Sequence, residues 1–185
     1  GGALLDARRG TQAGLQRVED GADLLDVGGE STRPGAEPLP GGEELTRVLP
    51  VIEGLAARVQ VPISVDTYKA ATAEAALAAG ATIVNDVSGL RYDPQLAQVV
   101  ARRKAAIVVM HTRGRSRDMY KQAVYHDVVS EVLDELRESV AFAINAGVGR
   151  DRVIVDPGLG FAKEAAHSYE VVARLYASAE KKQAL

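Results

Sequence analysis

The chain has 185 residues, 46% hydrophobic and 25% charged, which suits one globular domain with a real core and excludes a disordered chain. Its formal net charge of −3 argues against a general nucleic-acid binder, and the lack of cysteine excludes disulfides, thiolate metal sites and a cysteine nucleophile. No apolar run nears the roughly 20 residues of a membrane span and no signal peptide opens the sequence, so a cytoplasmic setting is expected.

Five short apolar runs read as buried strands: residues 24–27, 63–66, 82–85, 107–110 and 153–156. They are rich in aliphatic and β-branched side chains, and each ends on a polar or functional residue. Helical patterns lie between them. Leu45, Val48, Leu49, Ile52 and Leu55 share one face, with Pro50 inside the pattern and therefore expected to kink it or cost a hydrogen bond. The Ala-rich stretch 70–79 ends at Gly80. Asp93-Pro94 reads as N-cap and first helical residue, with Leu96, Val99 and Val100 facing inward. Val129, Leu133, Leu136, Val140 and Ile144 form a longer stripe, stopped by Gly147. Strand and helix alternate throughout, which specifies a parallel sheet with crossover helices. An open sheet concentrates its site near one switch point, whereas five equipped strand ends favour a TIM-type (β/α)8 barrel. A closed barrel of that type has eight strands, so the five runs describe an incomplete one in a single domain spanning 1–185.

The unusual residues follow the strands. Gly28-Gly29-Glu30-Ser31-Thr32-Arg33-Pro34-Gly35 combines flexible backbone with hydroxyl and guanidinium donors suited to an anion. Asp66 closes the second run, where a carboxylate is costly unless it meets donors; backbone or the N–H groups of a heterocycle could supply them. Asn85 can donate and accept, and it or Asp86 could instead fix an Asx-turn. Met110-His111 closes the fourth run, with a structural and a ligand-contacting histidine both open. Asp156-Pro157-Gly158-Leu159-Gly160-Phe161-Ala162-Lys163 follows the fifth; it lacks Walker spacing, and its Phe161 suggests a wall for a flat ligand. His126 and His167 fall in helical patterns without partner signals and read as surface residues or as residues supporting a site from behind. No cluster has zinc-ligand spacing and no Ser-His-Asp motif is evident.

In order, the segments 21–36, 64–69, 84–89, 110–111 and 156–163 resemble the dihydropteroate synthase family, in the wider group of pterin-binding barrels. The Glu-Ser-Thr-Arg-Pro-Gly loop separates this resemblance from the methyltetrahydrofolate methyltransferases, which remain a weaker alternative. The resemblance implies condensation of p-aminobenzoate with dihydropterin hydroxymethyl pyrophosphate to give dihydropteroate and pyrophosphate. It implies that Asp66, Asn85 and Asp156 read the pterin ring and that Met110 and Phe161 wall its pocket. Thr32 and Arg33 then belong to a mobile loop over p-aminobenzoate and pyrophosphate, and Lys163 joins the substrate-binding set. Mg²⁺ is implied as a helper, its protein ligand lying outside this chain, and a homodimer as the assembly. Departures from the family pattern at both ends imply a partial barrel that turns over poorly alone. The other reading is a non-catalytic pterin- or folate-binding paralogue, or a fragment completed by a partner.

Overall fold

The computed structural model describes residues 6–33 and 35–180, with side chains through residue 174. Helix α1 (Ala7–Glu19) leads into β1 (Leu25–Gly28), and the chain then alternates as α2 (Gly41–Ala56), β2 (Ile63–Asp66), α3 (Ala70–Ala78), β3 (Ile83–Asp86), α4 (Gln95–Arg103) and β4 (Ala106–Met110). A short 3₁₀ turn (Met119–Gln122), α5 (Val128–Asn145), a second 3₁₀ turn (Arg150–Arg152), β5 (Val153–Asp156) and α6 (Ala165–Glu180) complete the order. The five strand runs stand within one residue of their predicted places.

All strand pairs are parallel, and the order is β1-β2-β3-β4-β5. Each strand lies beside its sequence neighbour, so the sheet has no topological switch point. That is the winding of a barrel rather than of a doubly wound sheet. One face carries Ile63, Val65, Val84, Ile107 and Val109, all at most 3% exposed, packed with helix residues such as Ile52, Leu55, Leu96 and Val100. Register places Asp26, Asp66, Asn85, Val108 and Ile154 on the opposite face, the inner one of a closed barrel. Ile154 is 51% exposed there.

Helix α1 has no counterpart in the sequence reading, and glycine explains why. Gly10 and Gly14 weaken the helical signal, but they let α1 lie against α2. A Cβ on Gly10 would stand 2.9 Å from Val51, and one on Gly14 would stand 2.7 Å from Leu55. In α2 the buried stripe is Glu44, Val48, Val51, Ile52 and Leu55, so the face is rotated from the predicted one and contains an acid. Pro50 lies within α2 on its exposed side, and the helix continues through it. In α5 the buried line is Val128, Val129, Val132, Leu136, Ser139 and Ala143, with Leu133, Val140 and Ile144 only half-buried. Gly80 and Gly147 follow α3 and α5 with φ of 118° and 100°, as their stop role requires. Asp93 caps two helices: one oxygen accepts from Gln95 N in α4 (3.1 Å) and the other from Ala70 N in α3 (2.8 Å). His126 corrects its predicted helical setting, being an exposed loop residue ahead of α5.

Candidate active site

Three polar side chains meet near the carboxyl ends of β2 and β3: Asp26 from within β1, Asp66 and Asn85. Asp66 pairs in register with Gly28 on one side and Asn85 on the other. A Cβ on Gly28 would reach the Asp66 Cβ at 3.1 Å, so the glycine is what admits the carboxylate. Asn85 Nδ2 donates to Asp26 Oδ2 at 3.2 Å, which orients the amide. Burial pushes the Asp66 carboxyl up to about 7, and the charges of Asp26, Glu44, Asp86 and Glu30 add to the rise. It is therefore an acid poised to meet N–H donors. Asp86, by contrast, is fully buried and local, accepting from Ser88 N at 2.8 Å and Leu90 N at 2.6 Å. It is the Asx-turn, and Asn85 is left to face the open side.

On the other flank, Met110 pairs with Asp156 across β4 and β5. Met110 is 5% exposed. The backbone of Asp156 accepts from His111 N at 2.9 Å, and its carboxylate Oδ1 accepts from Gly158 N at 2.7 Å. That leaves its second oxygen without a bond among the described residues. Gly158 has φ of 65°, and a Cβ there would stand 2.0 Å from the His111 carbonyl oxygen. The loop can adopt this course only with glycine.

Lys163 is placed differently from the sequence reading. It is 1% exposed, and its ammonium reaches His111 Nδ1 (2.7 Å), Phe161 O (3.0 Å), Gly158 O (3.1 Å) and, at the limit, His111 O (3.4 Å). It lies beneath the loop and does not line the open cavity. An ammonium has only donors, so the bonded His111 Nδ1 is the acceptor and Nε2 carries the proton. Nε2 stands 3.2 Å from Glu135 Oε2, near enough for attraction but out of line for a hydrogen bond. Burial lowers the pKa of His111, which keeps it neutral. Burial would raise Glu135, but His111, Arg113 and Arg91 outweigh it and hold that carboxyl far below its usual range.

Two features escape the sequence reading. Lys69 Nζ bridges Glu30 Oε2 (2.5 Å) and Glu44 Oε2 (2.6 Å), with Glu44 1% exposed. Glu30 also accepts from Tyr68 OH (2.9 Å) and Leu39 N (2.9 Å), so one carboxylate ties together both ends of the β1–α2 loop. That loop bears Thr32 and Arg33. The signal for Glu44 was available: it sits four residues before Val48, on the buried stripe of α2. The second feature is a cavity of about 240 Å³ whose lining includes Thr32, Tyr68, Tyr92, Arg115 and Phe161. Arg115 stacks over Tyr92, its guanidinium carbon 4.2 Å from the ring centre. Thr32 and Phe161 thus share one cavity, while Asp66, Asn85, Met110 and Asp156 form the strand-end row beside it and Arg33 is exposed on the loop.

A polar row at successive parallel strand ends, capped by glycine-dependent loops, is the arrangement expected of a barrel enzyme site. The family profile described as "Pterin binding enzyme" matches residues 1–185. The chain belongs to the pterin-binding enzyme family. Among curated pterin-binding relatives, the dihydropteroate synthase of Bacillus subtilis is 47% identical over 148 residues, which are 80% of this chain and 50% of that protein. Dihydropteroate synthase from Xanthomonas albilineans, solved with 4-aminobenzoic acid, superposes with a TM-score of 0.87 at 44% identity, over 94% of this chain and 61% of that one. The same organism's enzyme in complex with 7,8-dihydropteroate gives 0.82 at 39%, over 97% and 63%. The chain thus spans about half to three-fifths of the length of these relatives. Its fold is that of five strands of the TIM-type barrel that this pterin-binding family shares. Among the described residues, no helix is long and apolar enough to cross a membrane.

Proposed function

We propose that this pterin-binding family member serves dihydropteroate synthesis, joining p-aminobenzoate to dihydropterin hydroxymethyl pyrophosphate. The carrying observation is the meeting of Asp26, from within β1, with Asp66 and Asn85 at the ends of β2 and β3, in a chain whose relatives are dihydropteroate synthases. A pterin edge offers ring and exocyclic N–H donors beside carbonyl and ring-nitrogen acceptors. Asp66 and the second oxygen of Asp156 accept from such donors, and Asn85 serves the mixed edge. Met110 and Phe161 wall the ring. Each N–H that binds Asp66 favours its charged form, so ligand binding lowers the pKa of that carboxyl.

The reaction forms one C–N bond and breaks one C–O bond. The aniline nitrogen attacks the exocyclic methylene carbon, pyrophosphate leaves, and the nitrogen loses a proton to solvent. The chain's contribution is positioning and donation to the leaving anion. Thr32 and Arg33, on the loop tied by Glu30, are the donors we assign to that anion. Mg²⁺ belongs to the same proposal as a helper that would neutralise the leaving pyrophosphate; among the described residues no group of three or more His, Cys, Asp or Glu would hold it by itself. Homodimer assembly belongs to the same proposal and is tested by sedimentation.

The test is pyrophosphate release by the chain at high protein concentration. Release that requires both substrates and drops in Asp66→Ala supports the reading. Pterin binding without release favours a binding paralogue, and neither binding nor release overturns the proposal.

A further inference from the structure

We infer that Lys163 is a positioning residue, which shapes the β5–α6 loop from beneath so that Asp156 and Phe161 face the ligand, and is not itself a ligand contact. This rests on the proposed roles of Asp156 and Phe161. The loop turns a run of carbonyls onto buried or tethering donors. Gly158 O and Phe161 O accept from the Lys163 ammonium at 3.1 and 3.0 Å. Gly160 O accepts from Tyr120 OH at 3.1 Å, and Ala162 O from Tyr125 OH at 2.9 Å. Lys163 supplies the only charged donor in this set, and it is 1% exposed.

The ammonium forms no ion pair among the described residues. His111 relays between it and Glu135: Nδ1 lies 2.7 Å from Lys163 Nζ, and Nε2 lies 3.2 Å from Glu135. Glu135 is in turn held by Arg91 at 2.9 Å and by Arg113. The line therefore runs from α5, through the end of β4, to the loop after β5. It carries a cation to carbonyls where a neutral side chain would leave buried acceptors unmet. The Gly158 backbone lies against the His111 carbonyl, so the loop cannot settle further inward if that cation is lost.

The charged and titratable groups facing the ammonium are His111 just after β4, Glu135 from α5, Asp156 from β5, Arg113 from the β4–α5 loop and, behind His111, Tyr125. Burial brings Lys163 down to about 8. Burial holds His111 below its ordinary 6.5 and pushes Tyr125 up to about 12. A loop transition near pH 8 that disappears on Lys163→Met therefore reports Lys163.

The chain contains no tryptophan, so Phe161→Trp installs a single indole on the loop. Its emission would be followed against pH in that variant and in Phe161→Trp/Lys163→Met, with far-UV circular dichroism as the fold control. Expected are a step near pH 8 in the first, a displaced and flat profile in the second, and pterin-pyrophosphate binding weakened about tenfold or more in Lys163→Met. Identical emission in both variants with no step, or unchanged binding in Lys163→Met, overturns the proposal. Should the double variant fail to fold, Phe161→Trp/Lys163→Arg, which keeps a buried cation at the carbonyls, takes its place: loss of the step with pterin-pyrophosphate binding retained supports the proposal, and a step that persists overturns it. If even the parent binds no pterin, the proposed function fails while the fluorescence still decides the role of Lys163.

Discussion

Asp66 is held against its chemistry: a carboxyl of ordinary pKa 3.8 sits at about 7 because it is buried among other acids. A folded-state pKa raised above the unfolded one means that the native state binds the extra proton. The stability this confers is fully present below pH 3.8 and is lost as pH rises through 7. Across that window Asp66 alone lowers unfolding free energy by at most about 1.4 kcal/mol per pH unit. Asp66→Asn is therefore expected to flatten the fall in stability between pH 4 and 7 and to be the more stable protein at pH 7, as read from urea midpoints across that range. A second residue-scale prediction concerns Gly158. With φ of 65° and a carbonyl oxygen 2.0 Å from any Cβ, Gly158→Ala should cost about 1–3 kcal/mol and lower the melting temperature. An unchanged melt would refute the close approach. At this scale the sequence was only partly legible. Asp66, Asn85 and Asp156 stood out because acids and amides at strand ends demand an explanation. Asp26 did not, because an acid inside a strand run looks like simple alternation until its partner Asn85 is brought across from β3. Lys163 was read as facing a ligand because nothing in a glycine loop tells which way its long side chain turns.

At the scale of elements, the Glu30–Lys69–Glu44 bridge joins the β1–α2 loop, α2 and the turn after β2. Removing the cation strips the Glu44 carboxyl, 1% exposed, of its ion pair and leaves it only a weak bond from Thr72 at 3.4 Å. Lys69→Met should therefore cost about 3–5 kcal/mol. Pairing it with Glu44→Gln should recover part of that loss, and additive losses in a double-mutant cycle would contradict the coupling. The same bridge tethers the loop bearing Thr32 and Arg33, so Lys69→Met should also speed proteolysis within residues 29–40. Elsewhere the packing is ordinary core: Leu96 is fully buried between sheet and helices, and Leu96→Ala should cost about 2–5 kcal/mol in denaturant unfolding. Strands and the later helices were legible because period and stop signals agree there. Helix α1 was not, because the glycines that let it approach α2 are the residues that erase its periodic signal.

For the whole molecule, sequential parallel pairing from β1 to β5 turns five separate motifs into one row. This was the most legible level, since each chemically unusual segment follows its own strand and a sequential sheet lines them up without further instruction. What remained hidden was the depth of each side chain, because burial depends on which helix covers which strand. On the proposed function, the strand-end row is a pterin site. The most direct test is calorimetric titration of the chain with dihydropterin hydroxymethyl pyrophosphate, beside folded Asp66→Ala and Asp156→Asn variants. One-to-one binding by the parent, stronger as pH rises through 7, and clear loss in both variants are expected. Binding that survives both substitutions, or a folded parent that does not bind, would contradict that function.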